Sequence, residues 1–360
     1  MDIPKELKKS ITELRQNPLI LTEYVIITTA RGNRPKKPVE PAPYDDRSFV
    51  EGDAFCVGNE HMTPSSNFSI NDDDGAWLIR GVRNQYPVLD EQGDIDGYDF
   101  GIHHVLGGYG YHEVLIDHPN HGIRIHEMSV EHLEKLFGAY QSRMSYIYEN
   151  LPDIEHVLVF KNFGEKAGGS MKHTHSQIFG MPVVSKRVQE EAWGCAEYFR
   201  DHRRCVSCEI INEAKNLHLP IYDLSTGKKI RDIKAGDLII EQTEHFVAIK
   251  PFASRHEWEV HILPKEHNMD FLDCEEMADL AGIFQRIMAR LNTMIPGLQY
   301  NYQIQSLHRP TLFRHTRSYH WYIEIIPRTC EYAGIELGTG LRINTIAPED
   351  AAERLRNVQL

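Results

Sequence analysis

The sequence predicts an α+β chain made of two tandem copies of one unit, each a mainly antiparallel sheet with helices. Three observations carry that expectation. Apolar runs recur in one order in both halves: two strands, a polar turn, a long helix, two more strands. Histidines keep step with them, since His121 to His173 spans 52 residues and His267 to His320 spans 53. Upstream of each pair lies a short couple, Asp53-x-x-Cys56 in the first half and Cys205-x-x-Cys208 in the second. The alternation of helix and strand is uneven and the gaps are hairpin-sized, which disfavours a parallel βαβ sheet.

In the first half, Trp77–Val82 and Glu113–Ile116 read as strands, the latter ending in Asp117-His118-Pro119-Asn120-His121. A helix follows, capped by Ser129, with Leu133, Leu136, Phe137, Tyr140, Met144 and Ile147 at helical spacing. His156–Phe160 is the next strand, then a glycine-rich turn (Gly164, Gly168, Gly169), then His173–Met181. In the second half, His245–Lys250 and Trp258–Leu263 repeat the opening pair, and Pro264-Lys265-Glu266-His267 repeats the turn. Asp273 and Glu276 are spaced as a capping box for a helix whose apolar face runs from Met277 to Met294. Tyr300–Gln305 and Tyr319–Ile326 close the unit. Val184–Asp201 is expected to link units 1–190 and 191–360, and proline-rich Lys36–Arg47 to be an irregular arm.

Composition narrows the function. Of 360 residues, 41% are hydrophobic and 25% charged, the usage of a globular protein. A net charge of −13 argues against long nucleic acid, whose phosphates require a basic face. No run is long enough to span a membrane, and Met1–Arg15 does not resemble a signal peptide, so the expected address is the cytoplasm. Six cysteines are too few for a disulfide scaffold of this length. Twenty histidines are many, and they cluster.

Cys205, Cys208, His267 and His320 form the Cys₂His₂ donor set that tetrahedral zinc prefers. A lone Cys-x-x-Cys often arises by chance; the internal repeat makes this one a zinc candidate. Asp53, Cys56, His121 and His173 are the matching first-half set, with a carboxylate in place of one thiolate. Zinc accepts that ligand but should be held less firmly there than in the second half.

The sharpest motif is Gly168-Gly169-Ser170-Met171-Lys172-His173-Thr174-His175-Ser176-Gln177. On a strand, His173, His175 and Gln177 share one face. If His173 is pinned, His175 beside it is an oriented imidazole able to displace at phosphorus, and Gln177 can donate to a phosphate oxygen. Lys161, Lys166 and Lys172, with Arg31, Arg34 and Arg83, could balance a di- or triphosphate, although isolated lysines are more often a solvated face.

His173-Thr174-His175-Ser176-Gln177 resembles the His-Pro-His-x-Gln signature of the galactose-1-phosphate uridylyltransferase branch of the histidine-triad superfamily. Arg31-Gly32-Asn33-Arg34-Pro35, Asp53-Ala54-Phe55-Cys56-Val57-Gly58-Asn59-Glu60, Arg83-Asn84-Gln85-Tyr86-Pro87, Phe160-Lys161-Asn162 and Gly334–Gly340 resemble further segments of that branch. The likeness runs from about residue 18 to 356 and implies two tandem histidine-triad-like units.

The resemblance also implies a ping-pong nucleotidyltransferase. His175 would carry a nucleoside monophosphate taken from a nucleotide sugar and pass it to a sugar 1-phosphate. Gln177 and Ser170 would bind phosphates, Asn84 and Asn162 the nucleoside, Arg31 and Arg34 the second substrate's phosphate, and Glu336 the sugar; Lys161, by its charge, is counted with the nucleotide-binding residues. His320-Trp321-Tyr322 puts tyrosine where the counterpart of His175 falls, so the second half should bind or dimerise rather than catalyse. A homodimer is implied. The Gly-Gly-Ser-x-x-His-x-His-Ser-Gln run and the second Cys-x-x-Cys look more like the ADP-glucose phosphorylase members, where the acceptor would be inorganic phosphate. A zinc-containing nucleotide-binding protein without turnover is the alternative from another class, and an intact His175 and Gln177 argue against it.

Overall fold

Alternating and helical apolar periodicities sort into strands and helices much as the sequence suggests. The structure, a computed structural model, describes residues 12–33, 45–223, 226–309 and 318–360. The first half holds β1 (Thr12–Gln16), β2 (Tyr24–Thr28), β3 (Ser66–Asn71), β4 (Trp77–Arg83), β5 (Gly97–Phe100), β6 (His103–Leu106) and β7 (Tyr111–Ile116). It continues through α1 (Val130–Asn150), β8 (His156–Phe163) and β9 (His175–Met181). Next come α2 (Lys186–His202), α3 (Val206–Glu213), β10 (His218–Tyr222), β11 (Lys229–Lys234), β12 (Ile239–Gln242), β13 (Phe246–Ile249) and β14 (Val260–Pro264). The chain ends with α4 (Met277–Met294), β15 (Tyr300–Gln305), β16 (Tyr322–Pro327), α5 (Gly334–Thr339), β17 (Arg342–Asn344) and α6 (Pro348–Arg356).

One ten-stranded sheet runs across both halves in the order β12-β13-β14-β16-β15-β8-β9-β7-β4-β3. Its neighbours are antiparallel throughout. The halves are stitched together at β8 and β15, where Asn162 faces Asn301 and Lys161 faces Tyr302. Helices α1 and α4 bury Leu133, Phe137, Tyr140 and Met144 with Leu280, Phe284 and Ile287 in one core. Each such fully buried side chain stabilises the fold by roughly 1.5–3 kcal/mol. Strand β2 pairs antiparallel with β1 on one side and parallel with β17 on the other, so the first described strands sit beside a strand near the end of the chain. Among the described residues no helix is long and apolar enough to cross a membrane.

One local expectation gains detail and one is corrected. Most of residues 184–201, expected to link the units, form α2, whose Val188, Ala192 and Cys195 are buried against Val206, Leu307 and Tyr319. Asp273 and Glu276 do not close a capping box. Asp270 instead accepts from Leu272 N–H at 3.1 Å to cap a short 3₁₀ turn, and α4 begins at Met277 without a side-chain cap. Ser129, by contrast, caps α1 as expected, accepting from His132 N–H at 3.1 Å. Most of the expected proline-rich arm lies outside the described residues, which resume at Asp45.

Candidate active site and metal centres

The loop that leads into β9 is shaped by glycine. Gly164 and Gly168 have φ of +88° and +78°, a region that side chains avoid. A Cβ on Gly169 would lie 2.8 Å from the Asn162 carbonyl oxygen. The loop walls a 410 Å³ cleft lined by Ser170, Met171, Lys172, His121, Asp45 and Gln299 among others.

His175 opens β9, buried, opposite Ile116 of β7. Its Nδ1–H donates to the His173 carbonyl oxygen at 2.8 Å. A carbonyl can only accept, so the ring proton sits on Nδ1 and the Nε2 lone pair is left over. Phe55 packs edge-on against the ring at 5.3 Å. Burial first, and the nearby Lys161 charge second, push the His175 pKa down, which favours the neutral, nucleophilic ring.

Lys161, expected at the nucleotide, takes another position. It is fully buried, and Nζ bonds Asp117 Oδ2, Thr174 Oγ1 at 2.7 Å and the His175 carbonyl at 3.0 Å. All three ammonium protons are thereby spent inside the chain, because desolvating an amine requires partners for it. Lys161 thus braces the backbone of the His175 strand from below.

Gln177 is oriented by His112, a residue the sequence reading passed over. His112 Nδ1 accepts from Val88 N–H at 3.3 Å, so its Nε2–H is the donor to Gln177 Oε1 at 2.8 Å. With its oxygen held, the Gln177 amide has its NH₂ end left to offer. Asn84 Nδ2 lies 3.2 Å from His112 Nε2, which brings Asn84 and Gln177 together around one imidazole. No sequence pattern marks His112: every residue of β7 is buried, and it reads as an ordinary core histidine.

The other expected residues are more scattered. Asn162 Oδ1 accepts from Asn301 Nδ2 at 2.7 Å at the seam between halves. Glu336 is turned back on its own short helix, accepting from Ala333 N–H at 3.0 Å. Arg31 lies exposed in a 3₁₀ turn after β2, and Arg34 falls outside the described residues.

Both candidate metal sets are assembled, in different ways. In the second half, Cys208 Sγ lies 3.5 Å from His267 Nδ1 and 3.6 Å from His320 Nδ1, and Cys205 Sγ 3.8 Å from His320 Nδ1. Tetrahedral bonds of about 2.3 Å to sulfur and about 2.0 Å to nitrogen place S and N about 3.5 Å apart, so this set fits zinc. In the first half, His121 Nδ1 and His173 Nδ1 each lie 2.6 Å from the same Asp53 Oδ2. Cys56 Sγ lies 3.9 Å from His173 Nδ1, close to the matching separation in the second half. The strand histidines are held alike: His173 Nε2–H donates to His118 O at 2.7 Å, and His320 Nε2–H to Pro264 O at 2.9 Å. Each of those carbonyls lies three residues before its turn histidine.

A family model described as a domain of unknown function (DUF4931), N-terminal domain, matches residues 103–184. A protein of Arabidopsis thaliana named ADP-glucose phosphorylase is 30% identical over 352 residues, covering 97% of this chain and 93% of that protein. The crystal structure of an ADP-glucose phosphorylase from Arabidopsis thaliana with bound ADP-glucose superposes with a TM-score of 0.79 at 28% identity. It covers 97% of this chain and 99% of that one. The chain therefore belongs to the galactose-1-phosphate uridylyltransferase family of the histidine-triad superfamily. Within it, this chain is similar both to that phosphorylase and to a galactose-1-phosphate uridylyltransferase of Thermotoga maritima. The latter is 24% identical over 358 residues, covering 97% of this chain and 99% of that protein. Both relatives are named as enzymes of the nucleotidyltransferase type.

Proposed function

We propose that this protein moves a nucleoside monophosphate between a nucleotide sugar and a sugar 1-phosphate through a covalent nucleotidyl-His175 intermediate. The observation that carries the reading is the Nδ1–H bond of His175 to the His173 carbonyl, which leaves Nε2 as the nucleophilic atom. Nε2 attacks the α-phosphorus, a P–N bond forms, and the bond from that phosphorus to the bridging oxygen breaks, releasing the sugar 1-phosphate. As the ring becomes cationic its Nδ1–H bond strengthens, because charged donors bond more strongly than neutral ones. An acceptor phosphate oxygen then attacks the same phosphorus, the P–N bond breaks, and neutral His175 returns. In this reading Gln177 and Ser170 donate to phosphate oxygens, Asn84 and Asn162 face the nucleoside, Arg31 and Arg34 meet the second phosphate, and Glu336 meets the sugar.

A second reading, phosphorolysis of ADP-glucose with inorganic phosphate as acceptor, is favoured by one observation. The phosphorylase relative is 30% identical, against 24% for the uridylyltransferase. The chemistry at His175 is the same; only donor and acceptor differ. Purified protein incubated with ADP-glucose or UDP-glucose, and with phosphate or galactose 1-phosphate, separates the two. Release of ADP only with phosphate selects the phosphorylase; formation of UDP-galactose selects the uridylyltransferase.

Cys205, Cys208, His267 and His320 would hold one zinc ion as a closed structural site. When bound, zinc supplies a staple from the start of α3 to the turn after β14 and the approach to β16, with no open position for catalysis. A homodimer in the cytoplasm completes the proposal.

A further inference from the structure

One side chain of the second half reaches into the half that carries His175. We infer that Asn301, on β15, is a positioning residue for the proposed transfer: its amide fixes which end of Asn162 faces the nucleoside, and it holds the loop that ends in Ser170. This deepens the proposed function and rests on the roles given there to Asn162 and Ser170.

The direction of the relay is set by a group that has no choice. The Ala167 carbonyl can only accept, and Asn301 Nδ2 lies 2.8 Å from it, so that end of the Asn301 amide is its NH₂. The other proton of the same NH₂ goes to Asn162 Oδ1 at 2.7 Å. With its oxygen held at the seam, the Asn162 amide has its NH₂ end left to offer. His112 holds Gln177 by the same device.

The register puts this pair beside the nucleophile. Asn301 faces Asn162 across β15 and β8. Phe160 faces Gln177 across β8 and β9, so Asn162, two residues on, stands on the face that carries Gln177 and His175. The start of β15 also grips the glycine loop. Gln299 Oε1 accepts from Lys166 N–H at 2.7 Å, and a Cβ on Gly164 would lie 2.5 Å from the Gln299 side chain. Lys166 N–H and the Ala167 carbonyl are thus both held by the second half, three residues before Ser170. Without the Asn301 donors, Asn162 is free to turn its amide over and exchange donor for acceptor at the nucleoside. Asn301 acts through Asn162 and the loop, and touches no substrate itself.

The test compares full-length wild type with Asn301→Asp, Asn301→Ala and Asn162→Ala, using AMP and UMP as probes in titration calorimetry. Asn301→Asp keeps the shape but has only accepting oxygens. Each Asn301 variant should weaken the better-bound monophosphate about 10-fold, the effect of one lost hydrogen bond. KM for the matching nucleotide sugar should rise by about the same factor, with a smaller change in kcat. Asn162→Ala combined with Asn301→Ala should lose less than the product of the two single losses, because one acts through the other. Wild-type affinity in Asn301→Asp or in Asn162→Ala would overturn the inference, as would a double variant whose losses multiply. A lowered Tm with affinity and KM unchanged would reduce Asn301 to a structural residue and overturn it too. A wild type that binds neither monophosphate would do the same. These affinities do not depend on transfer, and the adduct on His175 is measured separately, so either reading can fail alone.

Discussion

At the head of β9 the first half carries His173, His175 and Gln177; at and before β16 the second half carries His320, Tyr322 and Glu324 in the same register. Around His175 and Gln177, each side chain has one end tied down and one end in reserve. The His175 ring is anchored at Nδ1 and the Gln177 amide at Oε1. In the second half Tyr322 and Glu324 are both tied into the structure. Tyr322 O–H donates to Glu191 Oε1 at 2.7 Å, and Glu324 is buried among Arg255, His261 and Gln303. Burial opposes the Glu324 charge, yet Arg187 and Arg255 hold its carboxyl well below the usual range. Each half also gathers a four-residue candidate metal set, Asp53, Cys56, His121 and His173 in the first and Cys205, Cys208, His267 and His320 in the second. One fold thus supports two uses: a strand end with atoms left over for a ligand, and the same strand end closed into structure.

The comparison can be broken by removing what each half is said to contribute. His175→Ala should lower turnover about 10⁴-fold or more while leaving the zinc content unchanged, as expected for loss of a covalent nucleophile. An equal loss in Tyr322→Phe would erase the asymmetry. Lys161→Met should cost about 3–5 kcal/mol in a urea unfolding titration, because Asp117 is left as a buried charge without its cation. Gln177→Ala should reduce kcat about 10²-fold with a smaller change in KM, the loss of one donor to developing phosphate charge. His112→Phe, which only releases the orientation of that amide, should cost about 10-fold, read from the same kinetics. Smallest of all, Tyr322→Phe should lower stability by about 1 kcal/mol, since Glu191 keeps Tyr319 O–H at 3.1 Å, and leave kcat in place.

The duplicated order of elements was legible because strand and helix periodicities are local, and Ser129 was legible as a cap for the same reason. The second helix start was misread because Asp273 and Glu276 match a spacing that tertiary context did not use; Asp270 took the turn instead. The orientation of His175 was half legible. Alternation put it on a face with His173 and Gln177, but the hydrogen bond that chooses its reactive nitrogen belongs to the backbone. Lys161 was assigned by charge, and only the depth of β8 in the sheet shows that its ammonium is spent on Asp117, Thr174 and the His175 carbonyl. His112 and Asp117 carry no pattern of their own; they become visible once β7 lies beside β9. The Asp53 substitution was plain in the sequence, and the structure brings it together with Cys56, His121 and His173.

The most direct measurement uses ADP-glucose and UDP-glucose labelled at the α-phosphate, mixed in turn with wild type and with His175→Ala. After denaturation, the labelled peptide is mapped by mass spectrometry. The account predicts label from one of the two on wild type, released by acid, stable to base, located on His175 and absent from the variant. Label on another residue, or turnover without any adduct in wild type, would contradict it.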